Sequence, residues 1–341
     1  MTVTREWLAR LPKAELHTHL DGCLRPSTLL ELADQAGVRP PGDTPDAVAD
    51  ALHVRHARNL DEYLERYVAT VSVMRSPAAL ARIARELVED AAAEGVRYLE
   101  ARFCPALHGP EVALAEALEA VLDGLATGQR ATGTVARLIA CGLRVLPPET
   151  SLAIARAATR YAGRGVVAFD LAGAEAGHPA GAHAEAFRVA REGGLHITCH
   201  AGEAAGPESI RAALDACGAE RLGHGVRLRE DPALEAEVAD RGVPLEMCLT
   251  SNVHTRAVRR LEDHPARRYL HLGIPVTLNT DSRLMDRTTL THELWMAHTT
   301  LGFTAEELVR VTRNGFAHAF LPDDERRRLL AAVGPALEGA A

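Results

Sequence analysis

The chain has 341 residues, 47% of them hydrophobic and 25% charged, which is long for an average domain, normal for one α/β barrel, and ample for a large core. A net charge of −8 excludes a general attraction to nucleic acid or to an anionic membrane surface. No apolar run approaches the ~20 residues of a membrane span, no basic-then-apolar leader is read at the start, and the six cysteines form no C-x-x-C pair, so the expectation is a cytoplasmic protein with buried free thiols.

Taken in chain order, short apolar runs recur at 14–19, 96–103, 134–143, 166–171, 195–200, 221–224, 243–248 and 275–280, separated by Ala/Arg/Glu/Leu-rich stretches of helical period. About eight strands alternating with helices is the count of a (β/α)8 TIM barrel. Most runs follow a glycine (Gly95, Gly133, Gly165, Gly194, Gly242, Gly273), as expected where a helix ends and a strand begins. Residues 24–75 form a long excursion between the first two strands. Its segments 29–36 and 60–74 have helical spacing, joined by Arg39-Pro-Pro-Gly-Asp43. In a barrel this excursion becomes a helical lid over the catalytic mouth. Residues 288–335 read as further helices that close the barrel, one opened by the capping box Thr304-Ala-Glu-Glu307. No repeat or linker calls for a second domain, so 1–341 is read as one.

Four pieces carry chemistry, each just past an apolar run. His17 and His19 alternate onto one face of the first strand, where two imidazoles can hold one metal. His200-Ala-Gly-Glu203 places a histidine and, through a tight turn, a carboxyl over the mouth; such a carboxyl can be tuned for acid–base work. His224, between Gly223 and Gly225, is a further ligand or a base for water. Asp281 completes a set of three histidines and one aspartate that leaves a position open, the mark of a catalytic zinc site. Singly, each piece has a plainer reading: an incidental H-x-H, helix caps at Glu203 and Asp281, a backbone-held His224. The only lysine, Lys13, starts the first strand at the wrong end for a lysine-bridged binuclear centre. The Cys-rich zinc signature of base-editing deaminases is absent.

These residues resemble the metal-dependent adenosine deaminase family, bacterial type. The likeness covers Leu11-Pro-Lys-Ala-Glu-Leu-His-Thr-His-Leu-Asp-Gly22, Asp170-Leu-Ala-Gly173, His200-Ala-Gly-Glu203, Gly223-His-Gly225, Thr250-Ser-Asn252 and Leu278-Asn-Thr-Asp281. It implies one Zn2+ per chain on His17, His19, His200 and Asp281. It implies that His224 orients and helps deprotonate the activated water, and that Glu203 protonates purine N1 before attack at C6 and loss of ammonia. It also implies that Gly173 contacts N3 and Asp21 a ribose hydroxyl, with Asp21 favouring a nucleoside over free adenine. Two positions depart from the pattern. Ser282 stands where the family has Asp or Asn to bond N7, and Leu249 replaces a common proline. The expected reaction is hydrolytic deamination of adenosine and 2′-deoxyadenosine by a monomer or homodimer. Two alternatives stay open: another 6-aminopurine nucleoside such as 6-aminodeoxyfutalosine, and a non-catalytic metal-binding protein on the same scaffold.

Overall fold

The computed structural model describes residues 2–55 and 57–339. Eight parallel strands pair in sequence order: β1 (Lys13–His19), β2 (Val96–Phe103), β3 (Val135–Leu143), β4 (Val166–Ala172), β5 (His196–Ala201), β6 (Arg221–His224), β7 (Leu245–Met247) and β8 (Val276–Leu278). The ring closes where Thr18 bridges Asp281 and where the Leu16 N–H donates to Asn279 Oδ1 at 2.8 Å. This is the expected (β/α)8 barrel, and every predicted strand lies within a few residues of its place. β7 and β8 are shorter than their apolar runs, so Asp281 lies three residues beyond the last regular ladder. The six glycines that precede strands all take φ between 63° and 115°, a left-handed turn that any side chain would strain.

The strand interiors are apolar on the helix side and carry charge on the barrel axis. Arg102 and Arg221 are the largest fully buried side chains. Arg221 donates from Nε to Glu246 at 2.7 Å, pairs with Glu100, and lies 3.6 Å from the centre of the Phe320 ring. At the floor of the barrel Lys13 is 1% exposed, with Nζ donating to the carbonyls of Leu8 (2.7 Å), Ala9 (3.2 Å) and Leu11 (2.7 Å). All six cysteines are buried and free. Among the described residues no helix is long and apolar enough to cross a membrane.

The excursion after β1 holds more helix than its sequence pattern suggests. Helices span Pro26–Ala36, Pro45–Leu52, Leu60–Leu64 and Tyr67–Val71. The second lies outside the predicted segments, and the last two divide what reads as one. Pro45–Leu52 starts with Thr44 Oγ1 accepting from the Ala47 N–H and with proline in the first turn, a sound helix start. After β8 come Leu290–Thr299, Ala305–Ala317 and Asp323–Glu338, and the Thr304/Glu307 capping box forms in both directions.

Candidate active site

Side chains from the C-terminal ends of three strands, β1, β5 and β8, converge on one point. Single ligand atoms of His17, His19, His200 and Asp281 all lie within 4.8 Å of one another. His19 Nε2 is 3.1 Å from His200 Nε2 and 3.2 Å from Asp281 Oδ1, which is 3.4 Å from His17 Nε2. Atoms held ~2.0–2.1 Å from a shared ion at tetrahedral angles stand about 3.3 Å apart, so the spacing fits a zinc-type ion. His17 Nε2 is buried with no hydrogen-bond partner, an atom that a metal would satisfy. The backbone contributes too. His224 and Asp281 take φ of 63° and 62°, a conformation uncommon outside glycine and often found at functional sites. A Cβ on Gly223 would stand 3.1 Å from His17 Cε1 and 3.1 Å from His200 Cα. The glycine lets the histidines close in.

Beside this group sit Glu203 and His224. Glu203 is 5% exposed and its Oε1 has no partner. Burial first, then the charge of Asp281, pushes its carboxyl well above the usual range, which favours the protonated form. The turn that aims it is tied down by Glu175, whose carboxylate accepts from the N–H groups of Gly202 (2.7 Å), Glu203 (2.9 Å), Ala204 (2.5 Å) and Ala205 (2.9 Å). His224 is set by a chain of hydrogen bonds with one direction. The Ala266 N–H donates to His264 Nδ1 at 3.2 Å. His264 therefore carries its proton on Nε2 and donates to Asn252 Oδ1 at 3.2 Å. The Asn252 amide then donates to His224 Nδ1 at 3.0 Å. Burial lowers both imidazoles, His264 to about 3, so both are neutral. The His224 proton lies on Nε2, which faces Glu203 Oε2 at 3.5 Å.

Above the group opens a cavity of about 610 Å3, lined by His19, Asp21, Gly173, Glu203, His224 and Asp281 among others. Burial pushes the Asp21 carboxyl up to about 7, and its Oδ1 has no partner. Gly173 faces the cavity at φ 90°. Ser282 is fully buried and does not line it. Its hydroxyl hydrogen-bonds to the phenol of Tyr67, which does line it. The excursion thus reaches the site through Tyr63, Tyr67 and their neighbours.

A family model described as adenosine deaminase matches residues 12–335. The chain belongs to the adenosine deaminase family. It is 42% identical to an adenosine deaminase from Mycolicibacterium vanbaalenii, with 96% of this chain and 95% of the relative aligned. Among solved structures it is similar to an adenine deaminase from Arthrobacter aurescens (TM-score 0.89, 29% identity, 96% of this chain and 99% of that one). It is also similar to a zinc-bound amidohydrolase from Burkholderia ambifaria (TM-score 0.90, 28% identity, 100% and 95%).

In this member of the deaminase family several supporting residues carry no role that their sequence context assigns. Glu246 accepts from His17 Nδ1 at 2.9 Å and Asp170 from His200 Nδ1 at 3.0 Å. These carboxylates fix each imidazole with Nε2 free toward the metal position. Arg102 joins the two carboxylates through contacts of 2.8 Å each and neutralises their buried charge. Ser251 donates to Asp281 Oδ2 at 2.6 Å. The signal for Arg102, Asp170 and Glu246 is an ionisable residue inside a near-continuous apolar strand, which is expensive unless paired.

Proposed function

We propose that the chain hydrolyses the 6-amino group of adenosine and 2′-deoxyadenosine, giving inosine or 2′-deoxyinosine and ammonia in purine salvage, with one zinc ion per chain held by His17, His19, His200 and Asp281. The observation that carries this reading is a buried Glu203, its Oε1 without a partner, beside a four-donor group with an orphaned His17 Nε2. Zinc, when bound, supplies the Lewis acidity that brings the pKa of a water down to about 7.

The protein's own groups do the rest. Glu203 gives its proton to N1, which makes C6 electrophilic. His224, with its proton held on Nε2, takes the orienting half of the role expected of it and donates to the oxygen that attacks C6. The Asp281 carboxylate accepts the proton from that oxygen and passes it to the 6-amino group, which leaves as ammonia; as the C6 carbonyl forms, the hydroxyl proton returns to Glu203. Asp21 holds a ribose hydroxyl, and Gly173 meets N3 through its backbone. Ser282, buried behind the cavity wall, does not reach N7 itself; Tyr67, its hydrogen-bonded partner, lines the cavity in its place. The test is a panel of adenosine, 2′-deoxyadenosine, adenine and a futalosine-type 6-aminopurine given to the zinc-loaded protein, with ammonia release followed. Release from both adenosines is expected. Release from adenine alone, or from the futalosine-type compound alone, replaces the substrate, and release from none ends the enzyme reading.

A further inference from the structure

The cavity over the metal group is roomier than an unsubstituted nucleoside requires. It holds about 610 Å3, whereas a purine nucleoside fills roughly 300 Å3 at the packing density of organic crystals. This inference rests on the deaminase reading, which puts C6 at the metal group and N1 at Glu203, on the cavity floor. N9 lies across the purine from C6. The ribose and its 5′ carbon therefore point to the opening.

That opening is apolar. Leu64 and Val68 reach it from the excursion, Leu107 from the turn after β2, and Leu143 and Val145 from the end of β3. Val68 is 73% exposed and Val145 55%; among the described residues they are two of only three exposed large hydrophobic side chains. Exposed aliphatic groups placed together at one rim are a site that gains by being covered. The described lining contains no lysine or arginine. Its acidic group at the exposed rim is Asp61, with the rim imidazole of His178 turned so that Nδ1 meets the Ala176 carbonyl at 3.1 Å. A 5′-phosphate there would lose water, face Asp61, and find no guanidinium or ammonium.

We propose that the mouth is a subsite for an uncharged, apolar 5′ substituent. The substrate range then extends from adenosine to 6-aminopurine nucleosides bearing a 5′-alkylthio or similar group, and excludes 5′-phosphates. The 5′ group is a spectator: water still adds at C6 and ammonia still leaves.

The zinc-loaded full chain is assayed for ammonia release from adenosine, 5′-methylthioadenosine and 5′-AMP. The expected kcat/KM for the thioether equals or exceeds that for adenosine, and that for AMP is at least ~100-fold lower. Val68→Asp, a change at an exposed position, lowers the thioether-to-adenosine ratio of kcat/KM about tenfold. A thioether ~100-fold poorer than adenosine, AMP within about tenfold of adenosine, or an unmoved ratio in Val68→Asp overturns the subsite and leaves the deaminase reading standing. Ammonia from none of the three compounds overturns both.

Discussion

Glu203 and Asn252 act on the reaction in different ways, one by holding a proton and one by deciding where another lies. Glu203→Gln keeps the shape of the side chain and removes the acid. Turnover falls at least ~100-fold while bound zinc, read by metal analysis, stays at the wild-type level; unchanged turnover would remove Glu203 from its role. Asn252→Asp is isosteric but reverses the chain of donors. A carboxylate accepts from both neighbours, so the His224 proton moves to Nδ1 and Nε2 can no longer donate. The expected loss in kcat is on the order of 10⁴-fold, the scale seen when an imidazole is held in the wrong tautomer. Nitrogen NMR of labelled histidine reads the tautomer directly, and a moved proton with undiminished kcat would sink the orienting role. Glu203 is legible in the sequence because it stands in a short motif. Asn252 is legible only as part of Thr250-Ser-Asn252, since its partners come from separate stretches of chain. Glu246 is harder still: it and His17 are 229 positions apart, and no local pattern links them.

At the scale of one element, the turn after β5 shows how a backbone segment is held for chemistry. Glu175 comes from the loop after β4 and accepts four consecutive N–H groups as well as the Ser209 hydroxyl at 2.5 Å. Replacing it with alanine strands those donors in a buried turn. The expected cost is about 3 kcal/mol, the scale for hydrogen bonds to a charged acceptor. Thermal unfolding reads that cost, and kcat falls with it because Glu203 loses its aim; a wild-type Tm would show that water replaces Glu175 at no cost. The strands themselves were legible because each is an apolar run and six of the eight have a glycine before them. The helix Pro45–Leu52 was not, because it has eight residues beside the turn-rich Arg39-Pro-Pro-Gly-Asp43. A segment so short shows little periodicity, and only packing makes it a helix. β7 and β8, at three residues each, are short for a related reason. The chain leaves the ladder early so that Cys248 and Asn279 can begin the turns that deliver Ser251, Asn252 and Asp281.

For the whole molecule, stability depends on ionisable groups kept in the barrel. Burial pushes the Glu293 carboxyl up to about 7 from 4.5, against hydrogen bonds from the Thr250 N–H (3.1 Å) and the Thr288 hydroxyl (2.5 Å). The folded form therefore binds more protons than the unfolded form between those values. Stability contributed by this group is present below about pH 4.5, falls as pH rises through the window, and is level above about 7, a change of up to roughly 3 kcal/mol. Glu293→Gln has no such titration, so it loses less Tm than the wild type between about pH 5 and pH 7.5; equal losses would show that the carboxyl titrates normally. Architecture at this scale follows from the alternation of runs along the chain, whereas the closure of β8 on β1 rests on contacts between residues more than 260 positions apart. The barrel floor has one more consequence. Because the sole lysine is sealed there against three carbonyl groups, lysine-directed cross-linkers, dyes and resins meet no lysine on the folded surface. Labelling of Lys13 by such a reagent then times the opening of the floor, a built-in reporter of unfolding that no tag has to supply.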